Sequence, residues 1–296
     1  MPVRLTVALL ALAAGAAAVV VVALVLRSTP GPVPSVPSAP TAASSPPPAQ
    51  HGFPAPPAHA IVFAREDGAN VLALAVTASS AQVSVVGQQG TGVDGLAVSV
   101  NGAPATSCGA GCYRAAVAHA RAVDVRVGST RWHVDVPAAR DASALVARSG
   151  AVWRSLDSLA FSDRLGSDAT HVVFSNWRVV APDRLAYDVR GGDSAVLVGG
   201  RRWDRAPGGR WIESPQSVPV KQPVPVWQSA TDANVVGQTP TTWRITFYDP
   251  GTPAWFAIVL DRRTLRTVDL RMITTAHFMH ERYRAFDAPL VVKPPG

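Results

Sequence analysis

Residues 242–260 read TWRITFYDPGTPAWFAIVL, and this stretch indicates the fold of the second half of the chain. Trp243, Ile245 and Phe247 alternate with polar or smaller residues, which is typical of a strand with one buried face. Residues 249–253 carry the proline and glycine of a tight turn. Residues 254–260 are apolar on both faces and are predicted to lie centrally in a sheet. The stretch therefore predicts an antiparallel hairpin inside a larger sheet.

The same pattern extends through residues 139–296, which we expect to form one domain with a leading helix. Asp141 is the predicted N-cap of a helix over 142–155. Residues 215–237 are rich in proline and are predicted to be mostly irregular. Besides the hairpin, strands are predicted at 159–165, 171–180, 184–190, 195–198, 201–204, 210–213, 265–274 and 277–286.

So long a meander with so little helix is expected to leave apolar surface for a ligand to fill. In the strand at 265–274, Val268, Leu270 and Met272 are predicted to share the apolar face, opposite Thr267 and Asp269. Tryptophans are expected to line part of such a groove. The predicted apolar binding face consists of Trp153, Trp243, Ile245, Phe247, Val268, Leu270 and Met272.

Residues 60–138 show a different pattern, with short β runs separated by turn residues. Several short strands at spacings of about 8–12 residues predict a small antiparallel β-sandwich of the immunoglobulin-like (Ig-like) kind. The chain as a whole is therefore expected to be mainly β. Strands are predicted here at 71–76, 82–86, 96–100, 113–117, 123–127 and 131–136.

The N-terminus is predicted to be a membrane anchor. Between Arg4 and Arg27 about twenty-two residues carry no charge, which matches the roughly 20 apolar residues that a transmembrane helix needs. Residues 1–27 are therefore predicted to be a signal anchor, with a cleaved signal peptide as the alternative. Residues 28–59 are rich in proline, alanine and serine and are predicted to be an extended linker.

The body of the protein is predicted to lie on the extracytoplasmic side of the cell membrane. The distribution of positive charge around the apolar run mildly favours a cytoplasmic N-terminus. Cys108 and Cys112 are the two cysteines, and the glycines between them allow a short disulfide loop, which requires an oxidising compartment. A reduced pair or half of a metal site is the alternative, although no second cysteine pair completes a zinc pattern.

Charge and motifs exclude several classes of function. The net charge is +7, and nearly all of the basic residues are arginines. They are scattered, so nucleic acid is not an expected partner, whereas anionic lipid heads or wall polymers fit a basic extracytoplasmic protein. The chain has no P-loop, G-x-G-x-x-G or H-E-x-x-H motif, and its three glutamates suggest no carboxylate pair. We therefore predict that the protein is not an enzyme and has no resident cofactor.

A set of short motifs follows in one order along residues 60–295: DGL at 94–96, CGAGCY at 108–113, WDR at 203–205, GGRW at 208–211, PAWF at 253–256, DRRTL at 261–265, HFMH at 277–280 and FDAPL at 286–290. Together they resemble the C-terminal extracytoplasmic region of actinobacterial copper-resistance membrane proteins of the CopC/CopD type. The resemblance implies a small β-sandwich followed by a domain similar to the lipoprotein-carrier (LolA-like) half-barrel, which holds an acyl chain. The many-spanning unit and the copper-binding module of that family are not recognisable here.

Three functions are carried forward. The first is binding of an acyl chain, lipid or other apolar ligand in the half-barrel. The second is copper binding by His277, Met279 and His280, whose imidazole and thioether groups suit Cu(I). On an extended strand His280 faces away from the other two, so joint ligation requires a turn there. The third is a structural role as partner of another membrane protein.

Overall fold

The computed structural model describes residues Thr6–Leu10, Val21–Val25 and 54–296, apart from residue 169 and residues 217–219. β1 (Thr6–Leu10) and β2 (Val21–Val25) form an antiparallel pair. The ten described residues of the predicted transmembrane helix are thus extended, and valine-rich sequence is compatible with strands as well as helices. No helix in the described part of the chain has the length and apolarity to cross a membrane. The remainder of that segment and most of the predicted linker lie outside the described residues.

Residues 61–135 form two antiparallel sheets that face each other, as predicted. One sheet has the order β3-β4-β5-β9-β8 and the other β11-β10-β6-β7. A valine-rich core packs between them. Sequence reasoning missed β3, β7 and β8. The strands are β3 (Ile61–Asp67), β4 (Asn70–Val76), β5 (Ser80–Val86), β6 (Val98–Val100), β7 (Ala103–Pro104), β8 (Thr106–Gly109), β9 (Cys112–Ala116), β10 (Ala122–Val127) and β11 (Thr130–Asp135).

The predicted disulfide is present between Cys108 and Cys112, whose Cα atoms are 5.0 Å apart. It links β8 to β9 across a turn in which Gly111 has a positive φ. A Cβ atom added to Gly92 would overlap the carbonyl group of Ala110. The loop therefore packs directly on backbone, which only glycine allows.

The remaining strands form one eleven-stranded antiparallel sheet with the order β17-β16-β15-β14-β13-β12-β22-β21-β20-β19-β18. The chain meanders from β12 to one edge, crosses to the other edge, and returns so that β22 pairs with β12. The elements are α1 (Ser143–Arg154), β12 (Ser158–Gly166), β13 (Val172–Val180), β14 (Arg184–Val189), β15 (Ser194–Val198), β16 (Arg201–Arg205), β17 (Ile212–Pro215), β18 (Thr231–Gln238), β19 (Thr242–Asp249), β20 (Ala254–Asp261), β21 (Thr267–Thr274) and β22 (His277–Arg284).

Helix α1 covers one face of this sheet. Its N-cap is Ala142, not the predicted Asp141, whose carboxylate instead accepts a hydrogen bond from the backbone N–H of Ser143. Ala142 also donates its N–H to Ala233 O, which fixes the start of the helix at edge strand β18. Predicting residues 215–237 as irregular was wrong for β18, whose ladder to β19 is broken by bulges that obscure the alternation.

The two sheets of residues 61–135, here called the two-layer unit, pack on the face of the eleven-stranded sheet (the large sheet) opposite to α1. Tyr248, Trp255, Ile273 and Phe278 form a shared core with apolar residues of β3, β4 and β5. Strand β20 is therefore covered on both faces, because Trp255 points to this core and its neighbour Phe256 to the helix side. This double coverage explains why the sequence of β20 is apolar throughout.

A segment over residues 220–230 completes the covering layer beside α1. Its Trp227 packs edge-on against Phe247 and Phe256. The segment is held by Asp249, which is completely buried. This carboxylate accepts hydrogen bonds from the backbone N–H groups of Gln228 (2.6 Å) and Gly251 (2.8 Å) and from three further donors on Ser229 and Thr252.

Replacing Asp249 with alanine should destabilise the protein strongly. The substitution leaves buried backbone N–H groups without an acceptor, and we expect the free energy of unfolding to fall by about 3 kcal/mol. Denaturant unfolding of the full-length protein measures the loss. Asp261→Ala is the matched control, because Asp261 also accepts three turn hydrogen bonds but is half-exposed. Equal losses for the two variants would contradict this assignment.

Candidate functional site

A cavity of about 310 Å³ remains between the covering layer and the sheet. This volume is near the lower end of the range for ligand pockets, about 300–1,000 Å³. The covering layer contributes Trp153 from the last turn of α1 and Gln222, Val224 and Val226 from the 220–230 segment. The sheet contributes residues from β12, β13, β14, β21 and β22. The cavity therefore lies over the seam where the first and last strands of the sheet pair.

Strand register orders the walls from a closed end to a more exposed end. Along β12, the cavity-facing residues are Leu159, Phe161, Asp163 and Leu165. Leu159 is completely buried and Asp163 nearly so, whereas Phe161 and Leu165 are partly exposed. On β22 the opposite residues are Tyr283, Glu281 and Met279, which pair with Phe161, Asp163 and Leu165. Half-buried His277 and Thr274 lie beyond Met279. The wall is thus apolar at its closed end, acidic in the middle and mixed near solvent.

Aromatic rings line the inner half of the cavity. Phe161 stacks on Trp177 with centroids 5.6 Å apart, and it contacts Tyr283 at 5.3 Å. Trp153 meets Tyr283 edge-on at 4.9 Å. Trp153 is itself held in place because its Nε1–H donates to Thr267 Oγ1 at 3.1 Å. These contacts fix the ring positions and make the inner wall preformed.

Asp163 and Glu281 form a carboxyl pair on this wall. They are direct neighbours across the β12–β22 ladder, with 9% and 6% of their surface exposed. Tyr283 donates its hydroxyl to Glu281 Oε2. Ser175 Oγ donates to Asp163 Oδ2 at 3.5 Å, while Trp177 Nε1 donates to Ser175 Oγ at 2.7 Å. Within the described chain Asp163 Oδ1 has no hydrogen-bond partner, although it is buried.

Burial changes the proton affinity of both carboxyl groups. Desolvation in the cavity raises the pKa of Asp163 from 3.8 to about 7, against the opposing effect of the Ser175 hydrogen bond. Desolvation, followed by the nearby charge of Asp163, raises the pKa of Glu281 well above its ordinary value. At neutral pH the pair therefore retains at least part of its protons, because two adjacent charges in an apolar wall repel each other.

The predicted apolar binding residues divide between cavity and core. Trp153 and Met272 line the cavity. Ile245, Phe247 and Leu270 are buried in the core shared with α1 and Trp227 and do not line it. Trp243 packs at the border of that core, with the Arg262 guanidinium 5.0 Å from its ring centroid.

The predicted face of Val268 was wrong because β21 has a register shift between Thr267 and Asp269. The shift places Thr267, predicted to be solvated, at a fully buried position facing α1. Val268 is left half-buried at the irregularity. A bulge places two residues of one strand opposite one residue of its partner, so strict alternation fails there.

The three predicted copper ligands do not come together. His277 and Met279 line the cavity, with Met279 directly opposite Met272. The strand stays regular through His280, so the turn required for joint ligation is absent at that position. His280 lies on the other face, with Nε2 2.8 Å from Asp269 Oδ2. Among residues 54–296 with their gaps, no group of three His, Cys, Asp or Glu side chains is placed to hold a metal ion.

Sequence reasoning missed Asp163, Glu281, Phe161 and Tyr283. It included Trp177 only among the tryptophans of which some were expected to line such a groove. The one visible signal for the missed residues is a polar residue at an inward position of an otherwise apolar alternation, as at Asp163 between Phe161 and Leu165. No protein-family model matches this chain, and no match among curated proteins was found.

The raised pKa of Asp163 predicts a pH-dependent stability. An acid with a higher pKa in the folded than in the unfolded chain stabilises the fold below about pH 4, and this contribution is lost as the pH rises to about 7. A shift of about three units corresponds to about 4 kcal/mol. We expect Asp163→Asn to lose less stability than wild type between pH 4 and 8, measured by denaturant unfolding. The exposed Asp188→Asn is the control. If Asp163→Asn follows the wild-type curve, the carboxyl is not desolvated as described.

Proposed function

We propose that this protein is a membrane-tethered, non-enzymatic binder of an apolar ligand, such as an acyl chain or another lipid-derived segment, outside the cytoplasm. The observation that carries the proposal is the cavity on the helix-covered face of the large sheet. Its inner wall consists of Leu159, Val179 and Leu185 together with the aromatic rings. An apolar cavity with a few polar groups is the usual form of a small-molecule site.

The architecture agrees with what the sequence resemblance implies. A half-barrel of the LolA-like kind is an antiparallel sheet around a helix, and here an eleven-stranded antiparallel sheet carries α1 on one face. The proposed ligand occupies the space that the helix and the 220–230 segment do not fill. Copper resistance is the physiological context that the resemblance suggests.

A binding role fits the carboxyl pair better than catalysis does. Acid–base catalysis by two carboxyls requires environments that separate their pKa values, so that one donates and the other accepts a proton. Here burial raises the pKa of both Asp163 and Glu281. No described residue of the cavity wall is an arginine or lysine that would hold one of the two groups ionised.

The extracytoplasmic location rests on three features. The N-terminal run of about twenty-two uncharged residues has the length of a membrane anchor, although its ten described residues form the strands β1 and β2. A proline-rich segment separates it from the body. The Cys108–Cys112 disulfide is compatible with an oxidising compartment.

Filling the cavity should abolish binding of an apolar probe. Leu165→Trp adds an indole ring at the half-buried end of the wall, and we expect about a tenfold or greater loss of affinity for the uncharged dye Nile red. Ser162→Trp is the control, because Ser162 lies on the opposite face of the same strand. Fluorescence titration measures both. Unchanged dye binding by Leu165→Trp, with the fold intact by circular dichroism, would argue against the cavity as the site.

Removing residues 1–27 should release the protein from membranes. Fractionation of cells that express the full chain or the truncated chain, followed by immunoblotting, measures this. We expect the full chain in the membrane fraction and the truncated chain in the soluble fraction, because the apolar run provides the anchor. A full chain found mainly in the soluble fraction would contradict the tether.

A further inference from the structure

The cavity combines an apolar interior with one sign of charge. Asp163 and Glu281 are the acidic residues on its wall, and none of its described lining residues is an arginine or lysine. This is unexpected for a chain with 27 basic residues and a net charge of +7. The alternation of the strands explains the separation, because inward carboxyl groups on β12 and β22 have outward arginines as sequence neighbours.

The neighbouring arginines Arg164 and Arg282 form ion pairs with carboxylates outside the cavity. Arg164 lies on the reverse face and pairs with Glu66 of β3, with N and O atoms 3.3 Å apart. Arg282 is mostly exposed and lies 3.7 Å from Asp269. Neither arginine lines the cavity. The carboxyl pair therefore has no cationic partner on its own wall.

The groups that do face the pair cannot neutralise it. From β22, Tyr283 donates to Glu281, and His277 lies near the exposed end with Nδ1 3.1 Å from Thr275 O. From β13, Ser175 donates a long hydrogen bond to Asp163. The covering layer supplies Trp153 and the uncharged Gln222. Asp163 Oδ1 is left as a buried acceptor without a donor, which is costly unless a ligand supplies one.

Aromatic rings adjoin the acidic pair. Phe161 and Tyr283 are paired across the ladder next to Asp163 and Glu281, and Trp177 stacks on Phe161. Aromatic faces attract organic cations, and ammonium groups are commonly recognised by such rings. Carboxyl groups and aromatic faces thus favour the same kind of ligand group.

We infer that the cavity selects an apolar ligand that carries an organic ammonium group, with the ammonium at Asp163 and Glu281 and the apolar part towards Leu159, Val179 and Leu185. This inference rests on the proposed function and specifies its ligand. A bound ammonium group favours the ionised form of the pair, so its binding releases protons that burial retains on Asp163 and Glu281. Its N–H groups then supply the missing donor to Asp163 Oδ1. The apolar part replaces water along the closed end of the cavity.

The same geometry discriminates against anionic ligands. A fatty-acid carboxylate or a phosphate would lie beside two carboxyl groups, without a basic residue to compensate. A zwitterionic lipid head is also disfavoured, because its phosphate is adjacent to its amine and would enter the same acidic region. The ligand is therefore an apolar amine without a neighbouring anionic group.

Three probes of equal chain length test the charge preference. Octylammonium, octanol and octanoate are titrated at pH 7.5 by calorimetry into the full-length protein held in phosphatidylcholine nanodiscs, with empty nanodiscs as background. We expect octylammonium to bind about tenfold more tightly than octanol, since charge-assisted hydrogen bonds are roughly twice as strong as neutral ones, and octanoate to bind most weakly. Dihexanoyl phosphatidylethanolamine represents the lipid-head source of an ammonium group and should bind more weakly than octylammonium.

The variants Asp163→Asn and Asp163→Asn/Glu281→Gln remove charge while keeping side-chain shape. We expect them to lose the preference for octylammonium, about tenfold, while octanol binding changes little. Circular dichroism and thermal unfolding confirm that each variant is folded. Octanol binding without any preference for the ammonium overturns this inference and leaves the proposed function standing. Binding of octanoate at least as tightly as octylammonium overturns it as well, and binding of none of the probes overturns both.

Discussion

The pairing of β12 with β22 is the interaction on which the rest of the large sheet depends. These strands are the first and the last of the sheet in sequence, and their ladder joins two meanders that would otherwise be separate. The pairing places Phe161, Asp163 and Leu165 opposite Tyr283, Glu281 and Met279. The wall of the cavity is therefore created by the closure itself, and no continuous stretch of sequence contains it.

Covering this sheet requires three separate pieces of chain. Helix α1 and the 220–230 segment share one face, and the two-layer unit of residues 61–135 packs on the reverse of β19–β22. Over β18–β21, Trp227 of the segment packs on Phe247 and Phe256 of the sheet, and Trp153 of the helix packs edge-on against Trp227. Over β12–β14 the cover is incomplete, and the cavity is the space that remains.

The polar groups of the interior serve two different roles. Asp249 is fully buried and accepts five hydrogen bonds, so it holds the covering segment in place. Asp163 is almost as well buried, but one of its oxygens has no partner in the described chain. A buried carboxyl with a full set of donors stabilises a fold, whereas one with a vacant acceptor in a cavity is suited to a ligand. The difference arises from surroundings that distant strands supply.

Local sequence patterns were sufficient to predict the helix and most of the strands. Alternation in residues 242–260, turn residues between short β runs and the spacing of Cys108 and Cys112 correctly predicted antiparallel sheets and the disulfide, because these signals are local. The sequence also identified Trp153 and Met272, two of the residues that line the cavity.

Which inward residues belong to a packed core and which to a cavity depends on how distant parts of the chain pack together. Ile245 and Leu270 follow the same alternation as Met272, yet they are buried in the core that the sheet shares with α1 and Trp227. The bulge in β21 places Thr267, rather than Val268, at the buried position facing α1. Asp163 and Glu281 are neighbours because β12 and β22 pair in the sheet. Periodicity specifies the face of a residue along its own strand. It carries no information about the strand that will lie beside it, or about how completely other elements will cover that face.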